Sequence, residues 1–119
     1  MEWTIKEGYY ISTVDDITVM IRKDHLNKNT HIYALQMASL YKEHEEAIFQ
    51  YVADAIARHN KVPSIDKSIR EKMTSPHIKI FNEGKGIIIW INFLIDNKTV
   101  TCKFENDMQL LGVEVIPEN

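Results

Sequence analysis

Residues Ile87 to Leu94 make the strongest structural demand in this chain, because they are apolar on both sides of a strand. Ile87, Ile89, Ile91 and Phe93 fall on one face of the alternation, and Ile88, Trp90 and Leu94 on the other. A strand with one wet face alternates apolar with polar residues, so this pattern predicts a central strand covered twice. The chain's own N-terminal hairpin or another subunit would supply the second cover. The next strand differs: Val100, Cys102 and Phe104 alternate with Thr101, Lys103 and Glu105, giving one dry face and one wet.

Period-two patterning also occurs near the start. Tyr9–Val14 and Ile17–Arg22 favour strand, with Asp15-Asp16 as turn residues between them, so a β-hairpin is predicted with Ile17, Val19 and Ile21 facing inward. Trp3 and Ile5 extend the first strand or form a short one before Gly8. After the polar stretch Asp24–Thr30 the apolar period changes to about 3.6. Tyr33, Met37, Leu40, Tyr41, His44, Ile48, Tyr51, Val52, Ala55 and Ile56 make one stripe. No proline or glycine interrupts residues 30–60. A single helix there would run about 45 Å, too long for a domain with a radius of gyration of about 14 Å. Two helices meeting near Lys42-Glu43-His44-Glu45 fit better, and a short third is predicted over Ile65–Met73, ended by Pro76. Beyond it, His77–Phe81, Ile87–Leu94, Thr99–Glu105 and Gln109–Ile116 read as four strands joined by short turns, the first being Asn82–Gly86. The expected architecture is thus a single α+β domain over residues 1–119. It comprises an N-terminal β-hairpin, two or three central helices and a C-terminal four-stranded antiparallel meander.

Composition narrows the function classes. With 119 residues the chain is long enough to bury a core without metal or disulfide support. Cys102 is the only cysteine, which excludes an intramolecular disulfide and a cysteine-based zinc cluster within one chain. The N-terminal residues lack a signal-peptide pattern, so a cytoplasmic location is expected. The longest apolar run is the five residues Ile87–Ile91, against roughly 20 for a membrane-spanning helix, so no membrane association is expected. The net charge of −3 is unevenly spread: residues 1–57 carry 5 basic and 9 acidic groups, residues 58–85 carry 7 and 3, and residues 86–119 carry 2 and 5. Nucleic-acid binding calls for a larger basic excess interleaved with aromatics, and none is expected.

No stretch carries a recognisable catalytic motif. Glu43-His44-Glu45-Glu46 gathers ligand types of a zinc or di-iron site, but the spacing fails: position 48 is Ile where a second histidine belongs, and no Glu precedes His44 or His59 by three residues. A solvated charged turn is the expected reading, with no metal and no cofactor. Cys102 lies among apolar neighbours and reads as a small hydrophobe rather than a nucleophile. Gly84-Lys85-Gly86 lacks the spacing of a phosphate loop and reads as a hairpin turn. His25, His31, His44, His59 and His77 are scattered without metal-ligand spacing. Tyr9-Tyr10 and Trp90 offer material for an aromatic recognition surface, although strand aromatics commonly pack cores.

The order of elements carries a resemblance. The run from Ile17-Thr18-Val19-Met20-Ile21, through the alanine- and tyrosine-rich helical region, to Pro76-His77-Ile78-Lys79-Ile80 and Gly86-Ile87-Ile88-Ile89-Trp90 resembles a family of small bacterial α+β domains catalogued without function. Some relatives of that family are immunity proteins of polymorphic toxin systems. The resemblance spans residues 15–116 and rests on pattern. Family members carry an aromatic, then glycine and histidine, before the penultimate strand, whereas this chain has Ile95-Asp96-Asn97-Lys98, so no functional residue is carried over. It implies binding rather than catalysis.

The resulting expectation is a non-enzymatic protein-binding module, such as a toxin-neutralising immunity protein, that meets a basic toxin domain through carboxylates of Glu43, Glu45 and Glu46. Two alternatives stand beside it. One is a small enzyme whose site assembles His44, His59 or His77 with Glu43–Glu46 in a concave pocket; the other is a homodimer that covers the second face of Ile87–Leu94.

Overall fold

A computed structural model describes residues 2–82, 86–105 and 108–117. Seven strands form one sheet whose spatial order is the chain order: β1 (Thr4–Lys6), β2 (Tyr9–Val14), β3 (Ile17–Arg22), β4 (His77–Asn82), β5 (Ile87–Ile95), β6 (Lys98–Glu105) and β7 (Gln109–Pro117). Between β3 and β4 the chain makes a 3-10 turn at Lys23–His25 and three helices, α1 (Lys28–Glu43), α2 (Glu45–Asn60) and α3 (Ile69–Lys72).

The class is α+β, but the expected division into a hairpin and a separate four-stranded meander is wrong. Thr4–Lys6 adds a seventh strand, and β3 pairs with β4 in parallel, Thr18 opposite His77 through Ile21 opposite Ile80, which joins everything into one mixed sheet. Two parallel neighbours cannot be joined by a tight turn; the helices are the crossover that makes this pairing possible. The hairpin therefore lies in the plane of the sheet, separated from β5 by β4, and cannot be the second cover of β5.

Local sequence explains most element ends. Asn27 and Thr30 form a reciprocal capping box at the start of α1: the Thr30 N–H donates to Asn27 Oδ1 at 3.0 Å and the Asn27 N–H to Thr30 Oγ1 at 2.9 Å. The helical run breaks at His44 (φ −102°, ψ 8°), and α2 ends on Lys61 in the left-handed region (φ 56°). The third helix starts later than the pattern Ile65–Met73 implies. Asp66 Oδ1 accepts from both the N–H and the hydroxyl of Ser68 (2.9 and 2.7 Å), which holds those residues in a turn. Glu7-Gly8 and Asp96-Asn97 have positive φ at both positions, as two-residue hairpin turns of the right twist require. Gly8 has the largest φ of the four, 83°, and a side chain there would be strained. Most of the predicted turn Asn82–Gly86, residues 83–85, lies outside the described residues, as do residues 106 and 107 between the strands predicted over Thr99–Glu105 and Gln109–Ile116.

The helices lie on one face of the sheet, α1 over β3 and β4, α2 over β6 and β7. A row of buried residues crosses the sheet beneath them: Val19, Ile78, Ile91 and Cys102, with half-buried Val113 at its end. Met37 and Tyr41 of α1 and Ile48, Phe49, Val52 and Ile56 of α2 close the core from above. No helix of the described residues lies on the opposite face of the sheet. Among the described residues no helix is long and apolar enough to cross a membrane.

Candidate functional site

The acidic cluster sits at the corner between α1 and α2. Glu43, Glu45 and Glu46 are all exposed, but Glu46 is ion-paired with Arg70, whose guanidinium also lies 4.3 Å from the centre of the Phe49 ring. Beside the corner, Lys42 pairs with Asp15 at 2.9 Å, which raises the ammonium pKa. Glu43 and Glu45 are exposed, and neither lines any of the four main grooves of the described residues.

The histidines are spread over the molecule. His25 Nδ1 accepts from the Asn82 N–H at 3.0 Å and its ring stands edge-on to Phe81; His31 stacks obliquely near Trp3; His44 occupies the helix junction; His59 is exposed near the end of α2; His77 lies on β4. None of the four main grooves of the described residues brings His44, His59 or His77 together with Glu43, Glu45 or Glu46. Among the described residues, no three metal-ligating side chains gather. Burial pushes the Cys102 thiol up to about 12, so at neutral pH it is a protonated core side chain. Gly84 and Lys85 lie outside the described residues.

What the fold does assemble is the open face of the sheet. Register fixes its membership. The middle row crosses the strands as Ile11, Met20, Lys79, Trp90 and Lys103; a second row reads Tyr9, Arg22, Phe81, Ile88 and Glu105; a third reads Thr18, His77, Asn92, Thr101 and Glu114. Trp90 and Phe81 meet edge to face at 5.0 Å. Lys103 lays its ammonium 4.6 Å from the Trp90 ring centre while pairing with Glu114 at 3.0 Å, and Lys79 sits 5.6 Å from the Tyr9 ring centre. The Thr101 hydroxyl donates to Asn92 Oδ1 at 2.6 Å and fixes that amide. Part of this face is concave, a groove of about 680 Å³ bounded by His77, Lys79, Trp90, Asn92, Leu94 and Ile116.

Of the aromatic residues singled out in the sequence, Tyr9 and Trp90 share this face, whereas Tyr10 pairs with Ile21 on the helix side. Lys79 and Phe81 meet Trp90 through the β4–β5 hairpin, whereas Arg22 carries no local signal that would join it to Trp90; only the parallel pairing of β3 with β4 does so. A smaller groove of about 360 Å³ opens between Trp3, Tyr10, Leu26 and His31, where the helix layer stops short of β1 and β2.

No family model, curated protein or solved structure matches this chain.

Proposed function

We propose that this chain is a non-enzymatic protein-binding module, of the kind that includes toxin-neutralising immunity proteins, and that the open face of its sheet is the binding surface. One observation carries the reading: Tyr9, Met20, Phe81 and Trp90 are half-buried with exposed Arg22 beside them on a face that no helix covers. Aromatic residues, methionine and arginine are the types that protein interfaces concentrate at their centres. The face is large enough. Seven strands spaced about 4.8 Å apart span about 29 Å, and all but the three-residue β1 are six to nine residues long, so a partner resting on them can cover the roughly 800 Å² per side of a standard interface.

The test is capture of a stoichiometric protein partner from the native cell by the tagged full chain, followed by affinity measurement on the purified pair. Trp90→Ala is expected to weaken binding about 30-fold, the loss typical of a central aromatic anchor. Replacing Glu43, Glu45 and Glu46 together by Gln tests the acidic corner, and on the present reading leaves affinity within about twofold. For an immunity role, co-expression must also relieve the partner's toxicity. No stoichiometric partner, or a partner indifferent to Trp90→Ala, overturns the assignment of the open face.

A further inference from the structure

We infer that the partner docking on the open face presents an acidic protein surface, the reverse of the basic partner that Glu43, Glu45 and Glu46 suggest. The inference rests on the binding-module reading above and concerns the chemistry of its partner. Across the strand residues of β1 to β5 the open face carries Lys6, Arg22, His77 and Lys79 and not one carboxylate. Its strand carboxylates lie only towards the far edge, Glu105 on β6 and Glu114 on β7, and Glu114 is already paired with Lys103. Arg22 pairs with Asp24 at 3.1 Å. Lys79 is different: it is half-buried, stands in the middle of the central strand, and makes no ion pair among the described residues, having only the Tyr9 ring beneath it. A half-buried ammonium loses hydration when a partner closes over it, so a carboxylate on that partner is the group that restores its balance.

Two other occupants fit less well. β4 is the middle strand of seven, so a second copy stacked face to face about a central two-fold axis sets Lys79 against the same lysine of that copy, with like charges desolvated together. Single-stranded nucleic acid needs free ring faces for stacking. Here Lys103 already lies over Trp90, Phe81 abuts it, and Glu105 and Glu114 border the path.

The experiment selects a random twelve-residue peptide library on the immobilised full chain and measures binding of the enriched peptides to the wild type, Lys79→Glu and Lys79→Met, with an oligothymidine twelve-mer as a separate probe. Lys79→Met keeps an apolar stem and serves if the charge reversal unfolds the chain, which circular dichroism reveals. Enriched peptides are expected to carry excess Asp and Glu alongside aromatics and to shift backbone amide resonances of β2 to β6. They are expected to bind Lys79→Glu about tenfold and Lys79→Met about threefold more weakly. Enrichment of basic or uncharged peptides, or acidic peptides indifferent to both substitutions, overturns the inference while leaving a protein-binding module standing. Tighter binding of the oligothymidine than of any peptide overturns both, and so does the absence of any enrichment together with the absence of a captured partner.

Discussion

Asp16 shows how much one exposed side chain can organise. Its carboxylate accepts from the Ser75 N–H at 2.7 Å and from the Ser75 hydroxyl at 2.9 Å, tying the β2–β3 turn to the segment that enters β4. The Thr18 N–H donates to the Pro76 carbonyl at 3.0 Å just beyond, so this clasp closes one end of the parallel seam. Both bonds favour the ionised form, the backbone one more, and they lower the Asp16 pKa below its ordinary 3.8. A carboxylate depressed in the folded state contributes stability that is present above its unfolded pKa and is lost as pH falls through the folded value. Asp16→Ala should therefore lower the melting temperature at neutral pH, and the gap from the wild type should close below the ordinary aspartate range; thermal melts from about pH 2 to pH 7 check this. A gap of constant size at every pH would show that the carboxylate's charge is irrelevant. Nothing in the sequence pairs Asp16 with Ser75: two aspartates in a row announce a turn, and the partner is fixed only when the helices have brought the chain back. Lys79 is legible in the same partial sense. Alternation puts it opposite Ile78 and Ile80, but its lack of a carboxylate partner among the described residues depends on which strands stand beside it.

Strand β5 separates what periodicity reveals from what it does not. Its buried side, Ile89, Ile91, Phe93 and Ile95, belongs to the core, while Ile88 and Trp90 on the other side are half-buried and Leu94 is 63% exposed. The apolar second face is sheltered by its own neighbours: Phe81 stands against Trp90, and the aliphatic stem of Lys103 crosses it. That partial shelter accounts for a pattern which, read alone, demands a second layer. The two sides should respond very differently to truncation. Ile91→Ala is expected to cost about 2–5 kcal/mol, and Leu94→Ala within about 0.5 kcal/mol, measured by urea unfolding of the isolated chain; similar losses for both would mean that the open face is covered even in the free protein. Among the helices, apolar spacing indicates where α1 and α2 meet the sheet, but Ala34, Phe49 and Ala53, all buried, escape the stripe. Small residues carry little hydrophobic signal yet are needed where a helix approaches a sheet closely, and Phe49 sits next to Ile48 at a position that one idealised stripe does not include.

The whole molecule is one sheet with helices on a single side, and its unity depends on pairing that no local pattern encodes. Strands can be counted from alternation and turns, but β3 and β4 are separated by the entire helical segment, and their parallel contact follows from where α1 and α2 come to rest. The candidate surface was hidden for the same reason, since it combines Tyr9 and Arg22 from one side of that seam with Lys79, Phe81 and Trp90 from the other. A broad face left bare is a hazard for self-association, and a charge at its centre is a recognised defence. Lys79→Leu should accordingly make the apparent mass in light scattering rise with concentration, whereas the wild type should remain monomeric; a wild-type dimer would contradict the placement of Lys79 as a barrier. Because strand order follows chain order, the first and last strands are opposite edges of the sheet. Tension applied between the two ends of the chain would act across the ladders rather than along them, peeling away one edge strand at a time like the teeth of a zip, so that the fold yields at low force however stable it is in solution.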